Sequence, residues 1–121
     1  MYELCKEFKF ESAHMLKRQI NNESSNRIHG HSYRVEIIIS GEPNILDGMI
    51  EDAELLESKF LKIKNLLNHK ILNEIEGLSI PTMENISFFI WKKLKLSIPT
   101  LVKVTVFRDS LAESCSYSES N

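Results

Sequence analysis

No stretch of this chain approaches the roughly 20 consecutive apolar residues that a membrane-spanning helix requires, which predicts a soluble protein. The opening segment "MYELCKEFKF" has neither a continuous apolar core nor a small-residue cleavage site, so no secretory signal is expected and the cytoplasm is the expected location. Cysteine is scarce. Cys5 and Cys115 are the two present, neither in a Cys-x-x-Cys pair, so a cysteine zinc knuckle is excluded and both are expected as free thiols in a reducing compartment. A basic surplus is also lacking: the net charge is −2 and the pI near 6.1, against the concentrated positive surface that sequence-independent nucleic-acid binding needs. The densest basic cluster, "WKKLKL", alternates with apolar residues at helical spacing and reads as the solvated side of a helix. There is no internal repeat and no low-complexity tract.

What is present suits one domain. A chain of 121 residues buries roughly 65% of its unfolded surface on folding, enough for a core. From Tyr2 to His14 the residues alternate, with Phe8, Phe10, Ser12 and His14 on one side and Lys9, Glu11 and Ala13 on the other, the period of a half-buried strand. The polar "KRQINNESSNR" (17–27) reads as a loop in which only Ile20 has a side chain to pack, and a second strand follows over 29–41 through the β-branched "YRVEIIIS". "EDAELLESKFLKIKNLLNHKIL" spaces Leu55, Leu56, Phe60, Ile63, Leu66 and Leu67 as one apolar helical stripe, with Asp52 as a cap. A second helix opens at Pro81-Thr82, where Thr82 can cap and Glu84 meets the positive end of the dipole, buries Ile86, Phe89, Ile90 and Leu94, and stops before Pro99. "TLVKVTVFRDS", alternating Val102, Val104 and Val106, is a third strand, and "SCSYS" is a short fourth. The order β-β-α-α-β-β has no βαβ alternation. It predicts an α+β fold, a mostly antiparallel sheet with both helices on one face. Tyr33 and Trp91 read as core, and Cys115 as packing.

"HGHSYRVEI" carries the chemistry. Residues two apart on a strand share a face, so His29 and His31 present two imidazoles together, and a hairpin joined by the 17–27 loop brings His14 beside them. Three histidines with a vacant fourth position suit a catalytic zinc better than a structural one, although neutral imidazoles accept zinc, copper, nickel and iron alike.

"FKFESAHML", "HGHSYRVEI", "GMIED", "LLNHKIL" and "PTMEN", in this order and spacing, resemble the 6-pyruvoyl- and 6-carboxytetrahydropterin synthases over nearly the whole chain. The resemblance implies the tunnelling fold (T-fold), four antiparallel strands with two helices on one face, assembled as a trimer or as a hexamer of two rings with active sites between subunits. It also implies Zn2+ on His14, His29 and His31, and a pterin-like small-molecule substrate rather than nucleic acid or membrane.

The chain departs from that pattern at three places. The family's catalytic cysteine, four residues before the His-x-His, is Ser25 here, and its Asp-His pair after the first helix is Asn68-His69. A serine hydroxyl holds almost no anion at neutral pH, and asparagine can orient the His69 ring without stabilising its charge. The glutamate that anchors the pterin near the end of the third strand is replaced by Arg108, which has donors only and suits an anionic ligand; Asp109 or Glu113 is the carboxylate that can take over. Thr82 and Glu84 match the family segment lining the pterin pocket. The expected activity is a zinc-dependent lyase acting on dihydroneopterin triphosphate or a related pterin, with catalytic His69 transferring protons together with Ser25 or a water, and Asn68 orienting the His69 ring. The substitutions keep two alternatives open: a diverged enzyme with a different anionic substrate, and a non-catalytic zinc-binding relative.

Overall fold

The computed structural model describes residues 1–18 and 23–119. Its elements run β1 (Tyr2–His14), β2 (His29–Gly41), α1 (Ala53–Leu67), α2 (Met83–Lys95), β3 (Leu101–Arg108) and β4 (Glu113–Tyr117), with short 3-10 turns at Leu72–Glu74 and Asp109–Leu111. The four strands form one antiparallel sheet in the order β1-β2-β3-β4. The expected α+β T-fold arrangement is what the chain adopts. Ile20 and its neighbours 19–22 lie outside the described residues.

Both helices cover one face, α1 against β1 and α2 against β3 and β4. Between helices and sheet sit Phe10, Tyr33, Val35, Ile37 and Ile39 from the first two strands, Leu56, Phe60, Ile63 and Leu67 from α1, and Ile86, Ile90, Trp91 and Leu94 from α2. Asp52 caps α1 by accepting from the Leu55 N–H, and Thr82 caps α2 by accepting from the Asn85 N–H. No helix among the described residues is long and apolar enough to cross a membrane. Cys5 and Cys115 are both free.

Three details differ from the periodicity. Leu55 and Leu66 of the α1 stripe are exposed, because a 100° step per residue carries the flanks of a six-residue stripe past the edge of the single sheet face α1 covers. The apolar pattern runs on to Leu72, yet α1 ends at Leu67: His69 takes a left-handed φ of 58°, and Leu72 is buried from a separate 3-10 turn. The β2–β3 register slips between Ile38, which pairs with Lys103, and Ile39, which pairs with Leu101, so Leu101 is buried where alternation from Val104 puts Val102, and Val102 stays at the surface.

Candidate metal centre

The register of β1 on β2 builds the site. His14 pairs with His29 and Ser12 with His31, so all three imidazoles share the helix-covered face at one end of the hairpin. One ligand atom from each ring lies within 4.8 Å of the others, and the ring centroids are 4.6 to 4.9 Å apart. His14 is buried and the other two are half-buried. This is the convergence that the His-x-His spacing and the hairpin together predict.

Hydrogen bonds fix the tautomers of two rings. His14 Nδ1 is 3.0 Å from the Pro81 carbonyl and His29 Nδ1 is 2.9 Å from the Arg27 carbonyl. A carbonyl only accepts, so each Nδ1 carries the proton and each Nε2 is left as a bare lone pair. Those two Nε2 atoms face each other at 3.0 Å. Two acceptors at that distance repel unless a cation lies between them, and Zn–N bonds of about 2.0–2.1 Å in tetrahedral geometry put ligand nitrogens about 3.3 Å apart. The donor set and its outer hydrogen bonds therefore fit a metal ion.

Burial favours the neutral form of His14 and His31, the form that ligates. His31 is pushed down to about 4, first by burial and then by the Arg108 charge and the other two imidazoles. His14 is lowered by burial, partly offset by its bond to Pro81. Tyr33, stacked on Phe10 at 4.7 Å behind His31, has its phenol pushed up to about 12 by burial.

The other candidate residues fall in different places. Arg108 is on the same face as the histidines, ion-paired with Glu113 across β3 and β4, and its Nη1 is 3.4 Å from His31 Nε2. It is thus already neutralised rather than free for an anion. Asp109 is engaged elsewhere, accepting from Arg34 Nε and Nη2 at 2.9 and 3.1 Å, with Arg34 also stacked 3.8 Å over Phe107. That bonding holds the Asp109 carboxyl below the usual carboxylate range. Of the two carboxylates able to replace the expected glutamate, Glu113 is the one beside the histidines. Thr82 and Glu84 stand at the start of α2, immediately after the Pro81 carbonyl that holds His14.

His69 is not part of the cluster. It is exposed and lines a groove with Lys9, Glu11, Ser32, Lys64 and Asn68, to which none of the three cluster histidines contributes. Asn68 does not orient the His69 ring: its Oδ1 accepts from the Glu11 N–H at 2.9 Å, and the His69 N–H donates to the Glu11 carbonyl at 2.6 Å, so both residues stitch the end of α1 to β1. The Ser25 carbonyl accepts from the Leu16 N–H at 2.7 Å, which closes the loop leading to β2. Sequence reasoning missed Asn73, whose amide accepts from the Met15 N–H and donates to the Met15 carbonyl, fixing the chain just after His14. It also missed the Arg27 and Pro81 carbonyls. A lone asparagine and two main-chain groups leave no pattern that marks them in advance.

The sequence profile described as "6-pyruvoyl tetrahydropterin synthase" matches residues 3–120. A 6-carboxy-5,6,7,8-tetrahydropterin synthase of Synechocystis is 34% identical over 112 residues, covering 88% of this chain and 85% of that protein. A dihydroneopterin monophosphate aldolase of Pyrococcus furiosus is 31% identical over 95 residues, covering 78% and 76%. In three dimensions the 6-pyruvoyl tetrahydropterin synthase of Caenorhabditis elegans superposes with a TM-score of 0.82 at 22% identity, covering 98% of this chain and 96% of that one. The chain belongs to the 6-pyruvoyl tetrahydropterin synthase family, and is an enzyme of its lyase type.

Proposed function

We propose that the protein is a zinc-dependent lyase of the tetrahydropterin synthase type, acting on dihydroneopterin triphosphate or a related pterin. It works in the cytoplasm as one domain over residues 1–121, in a trimer or hexamer whose active sites lie between subunits. The observation that carries this reading is the pair of bare, tautomer-locked Nε2 atoms of His14 and His29 facing each other at 3.0 Å beside His31. The names of the two sequence relatives, one a tetrahydropterin synthase and the other a dihydroneopterin monophosphate aldolase, support a pterin substrate.

His14, His29 and His31 hold the ion. The chemistry a zinc ion held there would supply is polarisation of the hydroxyl and carbonyl oxygens of the pterin side chain, which would lower the cost of negative charge developing on them. Glu113, held by Arg108 and with its side chain 43% exposed, offers the carboxylate that accepts from the donor edge of the ring. Thr82 and Glu84 line the approach from α2. His69 is the proton carrier, since its imidazole is exposed and an imidazole nitrogen can both accept and return a proton. Because the fold holds His69 away from the cluster of its own chain, it serves the centre of an adjacent copy, which is why the site needs an oligomer. Ser25 orients substrate through its hydroxyl, and Asn68 positions the turn that presents His69. A different anionic substrate is the weaker reading, because Arg108 already has a carboxylate partner.

Incubating the zinc-loaded protein with dihydroneopterin triphosphate should yield a tetrahydropterin or a cleaved side chain, with His69→Ala slowing turnover and leaving zinc content unchanged. Substrate recovered intact would overturn the proposal.

A further inference from the structure

We propose that Arg108 and a metal ion are mutually exclusive partners of His31, so that Arg108 is a built-in competing cation that sets the metal affinity of the three-histidine centre. The inference rests on the metal-centre reading above.

A guanidinium has only donors. With Arg108 Nη1 3.4 Å from His31 Nε2, that nitrogen must present its lone pair to the arginine. A neutral imidazole has one such lone pair, and its other nitrogen carries the proton. While Arg108 is in place, His31 has nothing to offer a metal at either nitrogen: Nε2 is taken and Nδ1 is protonated. Repulsion between the guanidinium and a dication adds to this direct exclusion. Among the described residues no cation is hydrogen-bonded to His14 or His29, whose proton-bearing Nδ1 atoms rest on the Pro81 and Arg27 carbonyls. Two ligands are thus prepared and the third is held back.

The surroundings give Arg108 somewhere else to go. Glu113, opposite it across the β3–β4 register, is ion-paired with the guanidinium and neutralises its charge. Arg108 Nε and the Tyr33 hydroxyl are both buried without a hydrogen-bond partner among the described residues. One can only donate and the other can accept, and the His31 ring that Arg108 approaches at 3.4 Å has its centroid 5.8 Å from that of Tyr33. Withdrawal of Arg108 from His31 toward Tyr33 would satisfy both orphaned groups and free the His31 lone pair.

Cobalt(II) titration in the presence of a competing chelator, followed by visible absorption, tests this with the parent protein, Arg108→Met, Glu113→Gln and the double variant. Arg108→Met should bind cobalt at least about tenfold more tightly, because a competing unit charge leaves the site. Glu113→Gln should bind more weakly, because the guanidinium loses its compensating carboxylate. The double variant should match Arg108→Met, because Glu113 acts through Arg108. Unchanged or weaker binding by Arg108→Met, or a double variant that behaves like Glu113→Gln, would overturn the proposal. Long-range 1H–15N spectra of the metal-free protein give a second readout: His31 should be the Nδ1–H tautomer, and Arg108→Met should shift its Nε2 resonance. The Nε2–H tautomer overturns the competition whatever the metal does. No cobalt binding by any of the four proteins removes the metal centre and this proposal together. Tighter binding by Arg108→Met with no turnover of the pterin sustains the competition and removes only the substrate reading.

Discussion

The two faces of the β1–β2 hairpin use the same strands for opposite electrostatic ends. On the helix-covered face run the rows Phe10/Tyr33, Ser12/His31 and His14/His29, where burial lowers His14, pushes the His31 imidazole down to about 4 and the Tyr33 phenol up to about 12. On the open face the intervening rows Glu7/Glu36, Lys9/Arg34 and Glu11/Ser32 are polar or charged, and Arg34 gathers Glu7, Glu36 and Asp109 around itself. Desolvation penalises charge on the covered face and so disfavours protonation of His14 and His31; water on the open face lets ions persist as pairs. One strand pair therefore separates a cluster of three imidazoles from an ionic surface by a single residue's step.

Substitutions on the two faces should break this contrast unequally. Phe10→Ala removes a ring stacked on Tyr33 behind His31 and should cost about 3–5 kcal/mol by urea denaturation, whereas Lys9→Ala, one residue away on the open face, should cost at most about 0.5 kcal/mol. Equal costs would mean the faces are not energetically distinct. His29→Ala should weaken cobalt binding by more than the roughly 10–100-fold that losing an outer hydrogen-bond partner costs, while leaving the melting temperature of the metal-stripped protein close to that of the parent. Retained affinity would remove His29 from the centre. The gentlest probe is pH. His14 and His31 bind protons less readily folded than unfolded, so the unfolded chain takes up more protons below the ordinary histidine value. Stability of the metal-stripped protein should be fully present above about pH 6.5 and fall as pH drops toward 4. His31→Gln should flatten that decline, and an unaltered profile would place the penalty elsewhere.

Much of the fold and the metal cluster was legible in the residue pattern. Period-two alternation from Phe8 to His14 fixed which side of β1 is covered, and the His-x-His step did the same for β2. Asp52 and Thr82 announced the helix starts, since their short oxygen-bearing side chains suit an N-cap. The helix end at Leu67 and the slip at Val102 were not legible, because Leu72 and Val102 continue the apolar periodicity after the backbone has left it. Nor was the separation of His69 from the other three histidines, which depends on the left-handed turn at His69 and its bond to Glu11.

By itself the sequence determined that His14, His29 and His31 would meet, because strand periodicity and a hairpin leave them little else to do. Only the tertiary structure decided how each ring is protonated and what competes for it. The Pro81 and Arg27 carbonyls, the Asn73 clamp and the Arg108–Glu113 pair reach the site through folding. Main-chain carbonyls carry no residue identity, and the partner of a charged side chain is set by strand register rather than by neighbours along the chain.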